Sequence, residues 1–188
     1  FPEKLAKAKR TVQLALRVAS MPFAPNEIDL DNYFANPILR LDWSSIKLQC
    51  DDKGLNMFYD FLAEKAEEIA GKGNDIIGLS MTDLSQLIPV FTLAKMLKEK
   101  TDAKICLGGN YIYKIAPDLK KIPEIFSEYC DFFIVGDGEI ASVELAEYMC
   151  GKRNIGDVHS LVYADENGNV ITNETAPLLD MDNIYYPD

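Results

Sequence analysis

The sequence predicts an α/β domain of the Rossmann-like, flavodoxin type, in which helices flank a parallel sheet. Three short apolar runs carry this prediction, at residues 75–81, 104–107 and 131–135. Each run is bounded by turn residues, as expected of strands that are buried on both faces of a parallel sheet. Helical patterns follow them, so strand and helix alternate along the chain.

Composition and charge exclude several classes of partner. The chain has 188 residues, which suits a single domain, and 48% of them are hydrophobic. The net charge is -11, from 30 acidic and 19 basic residues, and a surface of that sign repels phosphate backbones and anionic lipid. We therefore expect neither nucleic acid nor a membrane as a partner. The sequence has no signal peptide and no apolar run of about 18 residues, which favours a cytoplasmic protein.

The first part of the chain, residues 1–73, is predicted to be a helical segment that is part of the domain or leads into it. Apolar residues at helical spacing predict a helix over 3–20, and a second helix over 56–70 with Asn56 as its N-cap. The stretch 26–55 mixes Asn, Asp and Pro with aromatic residues. Short helical turns and a packed loop are expected there rather than regular sheet.

The second part, residues 74–188, is predicted to form the α/β domain and to end in a linker. Helices are expected at 85–100, 122–129 and 139–150, with Pro89 in a first turn and Pro123 at a first helical position. The segment between Gly109 and the 122–129 helix reads as a proline-punctuated connection. Asn167-Gly168, between two apolar triplets, predicts a hairpin over 160–172, and residues 180–188 read as an extended exit segment.

Ligands of parallel sheets bind beyond the carboxyl ends of the strands, which directs attention to the loops 80–85, 107–113 and 136–139. Gly108-Gly109 would let a bulky ligand approach the backbone, although the local sequence alone favours a tight turn as the explanation of the pair. Ser80 and Thr82 are possible donors to a ligand, while a helix-capping or turn role for Thr82, Asp83 or Ser85 is equally ordinary.

The segment Gly136-Asp137-Gly138-Glu139 opens a helix, as a phosphate loop does. It lacks the G-x-G-x-x-G fingerprint, and its two acids oppose a phosphate. They suit hydroxyl or amide donors better, while Glu139 is also a first-turn acid that the helix dipole favours.

These motifs, in this order, resemble the cobalamin (B12)-binding domains that precede the catalytic barrel of radical S-adenosylmethionine (SAM) enzymes. Such domains have an apolar strand ending in G-I-S, a strand ending in G-G and a strand running into G-E-G-E. Here the corresponding segments are 75–80, 107–110 and 131–139, with Asp137 in place of the first Glu. The closing hairpin and the final Pro187-Asp188 match as well, so the resemblance covers roughly residues 74–188.

The resemblance implies a domain that positions a corrinoid for methyl transfer or radical chemistry. It places the corrin ring over the carboxyl edge of the sheet and the nucleotide tail beside the strands. SAM and a 4Fe-4S cluster would bind only in a downstream barrel of the same chain, whose C-x-x-x-C-x-x-C motif is expected beyond residue 188, and no catalytic residue is expected within this chain. The implied cofactor-binding residues are Ser80, Met81, Thr82, Gly108, Gly109, Asn110, Gly136, Asp137, Gly138 and Glu139.

Histidine and cysteine give no indication of a metal site. Another cobalamin family supplies an axial histidine from D-x-H-x-x-G, but the run around His159 lacks that glycine and follows the third motif. We therefore expect cobalamin to bind without a protein histidine. No two of the four cysteines lie within three residues of each other, which excludes the paired spacing of zinc and iron–sulfur sites and favours free thiols in a reducing cytoplasm.

Other interpretations remain open at this point. The strand–helix–strand unit that usually begins such domains is not found in residues 1–73, which would leave one sheet edge open. The same fold without a cofactor would be an interaction or structural domain. A signalling receiver ranks lower because no lysine follows Val135, and a nucleotide-binding enzyme ranks lower because its phosphate fingerprint is missing.

Overall fold

The computed structural model describes residues 2–34, 42–119 and 121–177. Its α-helices are α1 (Pro2–Ser20), α2 (Trp43–Asp51), α3 (Tyr59–Ala70), α4 (Leu87–Lys100), α5 (Asn110–Leu119), α6 (Ile125–Glu128) and α7 (Gly138–Met149). Its strands are β1 (Glu27–Ile28), β2 (Tyr33–Phe34), β3 (Ile76–Ser80), β4 (Lys104–Gly108), β5 (Phe132–Ile134), β6 (Leu161–Ala164) and β7 (Val170–Thr172). Three short 3-10 turns occupy Met21–Phe23, Leu84–Gln86 and Ile155–Asp157.

The main sheet has five strands in the order β3-β4-β5-β6-β7. Strands β3, β4 and β5 are parallel, while β6 and β7 continue the sheet as an antiparallel hairpin. The predicted α/β fold with a parallel sheet and a C-terminal hairpin is therefore confirmed. Within the described residues β3 is an edge strand, because only β4 pairs with it.

The two faces of this sheet are covered differently. One face, which we call the helical face, packs against α2 to α6 in a large core that includes Ile77, Ile105, Leu107 and Phe133 of the strands. The other, which we call the α7 face, has a smaller core in which Phe132 and Ile134 pack against Ala141 and Leu145 of α7. The alternation of side chains along each strand produces this division.

The N-terminal region differs from the prediction in its details. Helix α1 forms, but its apolar positions stay open to solvent, with Leu5 48% and Val12 46% exposed. The stretch 26–55 contains α2 and the short antiparallel pair β1-β2. The side chain of Asp42 caps α2 by accepting from the Ser45 N–H at 2.9 Å. Residues 35–41 and the predicted exit segment 180–188 lie outside the described residues.

Two predicted helix starts are wrong. Helix α3 begins at Tyr59, and Asn56 instead lies before it, where its amide nitrogen donates to the Thr92 hydroxyl of α4 at 2.8 Å. Helix α6 begins at Ile125, so Pro123 is not its first residue. The Pro123 carbonyl accepts from the Phe126 N–H at 3.1 Å in the turn that precedes the helix.

The predicted connection after Gly109 is also wrong, because α5 spans Asn110–Leu119 and contains Pro117. Burial explains the helix, since Ile112 is completely inaccessible and Ile115 packs partly against the helical-face core. An amphipathic face that is buried in this way outweighs the missing N–H of a proline near the helix end. None of the described helices combines the length and the apolar character needed to cross a bilayer.

Candidate ligand-binding groove

A groove of about 410 Å³ lies on the α7 face, between the carboxyl halves of the parallel strands and the first turns of α7. Its residues come from β3, β4, the β4–α5 connection, β5, the β5–α7 connection and α7 itself. They are Gly78, Leu79, Ser80, Cys106, Gly108, Gly109, Ile134, Gly136, Asp137, Gly138, Glu139 and Ser142. The three loops to which the sequence pointed thus converge at one sheet edge.

The floor of the groove consists of small residues in two layers. In the upper layer, next to the carboxyl edge, Ser80 of β3 pairs with Gly108 of β4. In the lower layer, Gly78 pairs with Cys106. A Cβ atom at Gly78 would meet no atom within 4 Å, and one at Gly108 would first meet the Ile134 carbonyl oxygen at 3.8 Å. The groove is therefore open because these positions lack side chains.

Neither floor glycine is required by the backbone, since both adopt conformations that any residue can adopt. Gly78 was missed at the sequence level because it lies inside an apolar strand. An isolated glycine in a strand is nevertheless a known signal of close backbone approach, and it could have been used here.

Gly109 has a different role from its neighbour. Its φ is +101°, and a Cβ atom there would lie 2.5 Å from the Met81 carbonyl oxygen. The Met81 N–H donates to the Gly108 carbonyl at 2.7 Å, and the Tyr111 N–H donates to the Met81 carbonyl at 3.0 Å. Gly109 is thus needed where the loop after β4 passes the backbone of Met81 in the loop after β3. This agrees with the interpretation of Gly109 as a tight-turn residue.

The β5–α7 connection forms the mouth of the groove. Gly136 has a φ of +112°, which favours glycine at that position. Asp137 precedes the helix without a side-chain capping bond, and both Asp137 and Glu139 are exposed. The Ser142 hydroxyl donates back to the Gly138 carbonyl. The mouth therefore carries two carboxylates and the free N–H groups of the first helical turn.

Three predicted site residues lie outside the groove. The Met81 side chain is completely buried in the helical-face core. The Thr82 N–H and hydroxyl both donate to the Gln86 side-chain oxygen, at 2.7 and 3.2 Å, next to the capping box that Asp83 and Gln86 form. Asn110 is exposed at the start of α5 and does not line the groove. The other seven predicted residues line it.

His159 pairs with a buried carboxylate away from the groove. Its backbone N–H donates to Glu144 at 2.8 Å, and its Nδ1 lies 2.9 Å from both carboxylate oxygens. Arg153 lies 3.3 Å from the same carboxylate. Burial alone would raise the pKa of Glu144, but the hydrogen bonds from His159 and the nearby charges of His159 and Arg153 lower it below its usual range.

The thiol in the groove floor is neutral, because burial raises the pKa of Cys106 to about 12. Within the described ranges, no group of three His, Cys, Asp or Glu side chains is arranged to hold a metal ion. A second cavity, of about 430 Å³, lies on the helical face between α2, α4 and α5 and is mostly apolar.

Fold and groove together define a Rossmann-like α/β domain with an open, small-residue groove at the carboxyl edge of its parallel strands. The same fold occurs in the radical SAM methyltransferase TsrM from Kitasatospora setae, solved with cobalamin and a [4Fe-4S] cluster bound. That match has a TM-score of 0.51 and 14% sequence identity, and covers 68% of this chain and 23% of TsrM.

A structure of the cobalamin-dependent radical SAM enzyme OxsB, with aqua-cobalamin and SAM bound, has a TM-score of 0.47 and 17% identity, over 70% of this chain and 17% of OxsB. This chain thus spans less than a quarter of the length of either enzyme. No protein-family model matches the sequence, and no curated protein is significantly similar to it.

Proposed function

We propose that this chain is a cobalamin-binding domain of a radical SAM enzyme, with the corrin ring over the carboxyl edge and the nucleotide tail in the groove. The observation that carries the proposal is the bare floor: Gly78 and Gly108 leave backbone exposed where the fold does not require glycine. The order of the three sequence motifs supports it independently. The likeness to TsrM supports the fold on which it depends.

The groove fits the tail in size and in chemistry. A volume of about 410 Å³ lies within the usual range for small-molecule sites. We place the tail beside Ser80, Gly108 and Cys106, with the Ser80 hydroxyl and the first-turn N–H groups of α7 as donors. Gly109 and Gly136 would shape the loops beneath the ring rather than contact the tail. Asp137 and Glu139 would accept hydrogen bonds from the amide groups around the ring.

We propose that the corrinoid binds here without a histidine ligand from the protein. His159 does not line the groove, and its imidazole is held by Glu144. A protein histidine would therefore have to leave a buried carboxylate before it could reach a ligand in the groove.

The wider context is also a proposal. A bound corrinoid would supply methyl transfer or radical chemistry together with SAM and a 4Fe-4S cluster, and these residues would supply its position and surroundings. We place that cluster in a barrel of the same chain beyond residue 188, after a cobalamin domain spanning 74–188 that the segment 1–73 leads into. The free cysteines Cys50, Cys106, Cys130 and Cys150 are consistent with a reducing, cytoplasmic location.

A visible-absorbance titration of the full-length protein with aquacobalamin tests the function. The unmodified protein should bind, and Gly78→Val should weaken binding at least about tenfold because its side chain fills the groove floor. Gly156→Val is the matched control, since Gly156 is exposed, has equally open space around its Cβ position and lies outside the groove.

Two results would count against the proposal. Unchanged affinity in a folded Gly78→Val variant would place the ligand elsewhere. No binding by the unmodified full-length protein would favour the alternative function, a domain of the same fold that acts in structure or interaction without a cofactor.

A further inference from the structure

We propose that two copies of this chain associate through a cleft beside α1, which binds the Asp29-Leu30-Asp31 tip of the β1–β2 ribbon of the second copy. The cleft, which we call the α1 cleft, has a volume of about 520 Å³ and lies between the C-terminal half of α1 and the segment that leads into β1. The proposal does not rest on the cobalamin function, because no residue of α1 or of the ribbon lines the groove on the α7 face.

Helix α1 stands apart from the rest of the described chain. All of its residues are described, and none of them belongs to either core of the sheet. Its attachment lies in the C-terminal half, where Leu16 is half-buried, Ser20 is buried and Arg17 pairs with Glu27 of β1 at 3.2 Å. A helix with so little tertiary packing is marginally stable in water. A partner that packs against α1 would therefore stabilise it.

The wall of the α1 cleft is apolar and open to solvent. It is formed by Leu14, Val18, Met21, Ala24 and Pro25. The first three side chains are each more than half exposed. Exposed apolar residues that lie next to one another are typical of an interaction surface, whereas isolated ones are common everywhere. A partner that covered this wall would gain the free energy of removing apolar surface from water.

Basic side chains border the wall. Lys7 and Arg10 precede Leu14 and Val18 at intervals of three or four residues, so all four lie on the same side of α1. Lys7 and Arg10 are exposed, and neither forms an ion pair with a described residue. An occupant of the α1 cleft should therefore combine an apolar side chain with negative charge.

The tip of the ribbon has both properties. Leu30 is 43% exposed and lies between Asp29 and Asp31, and the segment 27–34 contains three acids and no basic residue. The Asp29 carboxylate accepts from the N–H groups of Asp31 and Asn32, at 2.8 and 2.7 Å. The Asp29 N–H donates to the Asn32 carbonyl at 2.9 Å. These bonds fix the tip in advance, so little conformational entropy is lost when it binds.

The positions of tip and cleft allow two copies to close on each other. Leu30 would contact the apolar wall, while Asp31 would approach Lys7 and Arg10. Glu27, at the start of the ribbon, lines the α1 cleft, so the tip and the cleft of one copy lie close together. A two-fold axis beside them would let each copy insert its tip into the cleft of the other, and a contact of this kind ends at two copies.

Charge favours a second copy over an anionic membrane as the occupant. Helix α1 has five basic residues and one acid, for a net charge of +4, whereas the whole chain carries -11 and the remainder therefore carries -15. An anionic lipid surface would attract α1 but repel that remainder. A second copy instead offers its own acidic tip to the basic border of the cleft.

Analytical ultracentrifugation of the full-length protein tests the proposal. The unmodified protein should dimerise reversibly, and Leu30→Ala should raise the dissociation constant at least about tenfold, because each dimer contains the contact twice. Leu5→Ala is the matched control and should change it less than about twofold. Leu5 has a similar exposure, 48%, but lies on the opposite side of α1 from the cleft.

A charge exchange tests whether the tip meets the basic border. Lys7→Glu combined with Arg10→Glu should weaken the dimer at least about fivefold at low salt, and Asp31→Lys alone should also weaken it. When Asp31→Lys is added to the two reversed residues, it should instead strengthen association at least about twofold relative to the reversed variant. Only a direct approach of Asp31 to these residues changes the sign of its effect.

Several results would overturn the proposal. They are a full-length protein that stays monomeric, a dimer that Leu30→Ala leaves unchanged, and an Asp31→Lys effect of the same sign in both backgrounds. A monomer that floats with phosphatidylglycerol vesicles, and loses this property in the reversed variant, would assign the α1 cleft to a membrane instead. Should the reversed variant not fold, as judged by circular dichroism, Leu30→Ala against Leu5→Ala decides.

Discussion

The two faces of the sheet are built by the same strands but are filled in different ways. On the helical face, large side chains such as Leu107 and Phe133 are completely buried beneath helices. On the α7 face, the alternate positions of β3 and β4 carry Gly78, Ser80 and Gly108, and a groove remains. The difference indicates that one face supplies most of the stability, while the other gives up packing where a ligand can enter.

The largest expected effect lies on the helical face. Phe133→Ala removes a ring that is fully buried and lies 5.2 Å, centroid to centroid, from the Phe126 ring. We expect the free energy of unfolding to fall by about 3–5 kcal/mol, as is usual for a large buried aromatic side chain. Urea unfolding measures this change, and a loss below about 1 kcal/mol would show that the helical face is not the main source of stability.

Next in size is Gly109→Val, at the crossing of the loops. The left-handed φ and the contact with the Met81 backbone should together cost at least about 2 kcal/mol. Gly108→Ala is its control and should cost less than about 1 kcal/mol, because its Cβ has space. Thermal unfolding of both variants checks the pair. Similar losses of stability in the two variants would mean that Gly108 and Gly109 do not have separate roles.

A smaller effect, dependent on pH, is expected at the far side of α7. Because its folded-state pKa is lowered from 4.5, the Glu144 carboxylate stabilises the fold above that value and stops doing so as pH falls through the folded-state pKa. Glu144→Gln should therefore lower stability by about 1 kcal/mol near pH 7 and by much less near pH 3. Urea unfolding at both pH values tests this, and a gap that grew in acid would contradict the pairing with His159 and Arg153.

The smallest effect on stability should come from the substitution with the largest effect on binding. Gly78→Val places its side chain in open space, so the free energy of unfolding should change by no more than about 0.5 kcal/mol. Differential scanning calorimetry of the cofactor-free protein provides the measurement. A large destabilisation would mean that the groove floor is packed in solution and is not available to a tail.

Much of the fold followed from the sequence because buried strands and a turn dipeptide are local signals. The runs 104–107 and 131–135 differ from β4 and β5 by no more than one residue at each end, and Asn167-Gly168 lies in the hairpin turn. Helix α5 was missed because Pro117 is a strong local breaker, whereas the burial of Ile112 that stabilises the helix is a tertiary effect.

The sequence was sufficient to locate the candidate site at one edge of the sheet, but not to identify each residue that lines it. Topology alone brings the three loops to one edge, so seven of the predicted residues line the groove. Which face a side chain points to depends on the alternation of residues along the strand. Ser80 faces the groove, while its neighbour Met81 is buried in the opposite core. Adjacent glycines were likewise indistinguishable until the position of the Met81 backbone was known.

Amide hydrogen exchange of the full-length protein, with and without aquacobalamin, tests most directly where the ligand lies. Exchange reports local opening, so a ligand in the groove should slow the amides of residues 136–141, in the loop and first turn of α7. It should leave α2 and α3, beneath the opposite face, unchanged. Slower exchange confined to α2 and α5, around the apolar cavity of the helical face, would contradict the assignment of the groove as the cobalamin site.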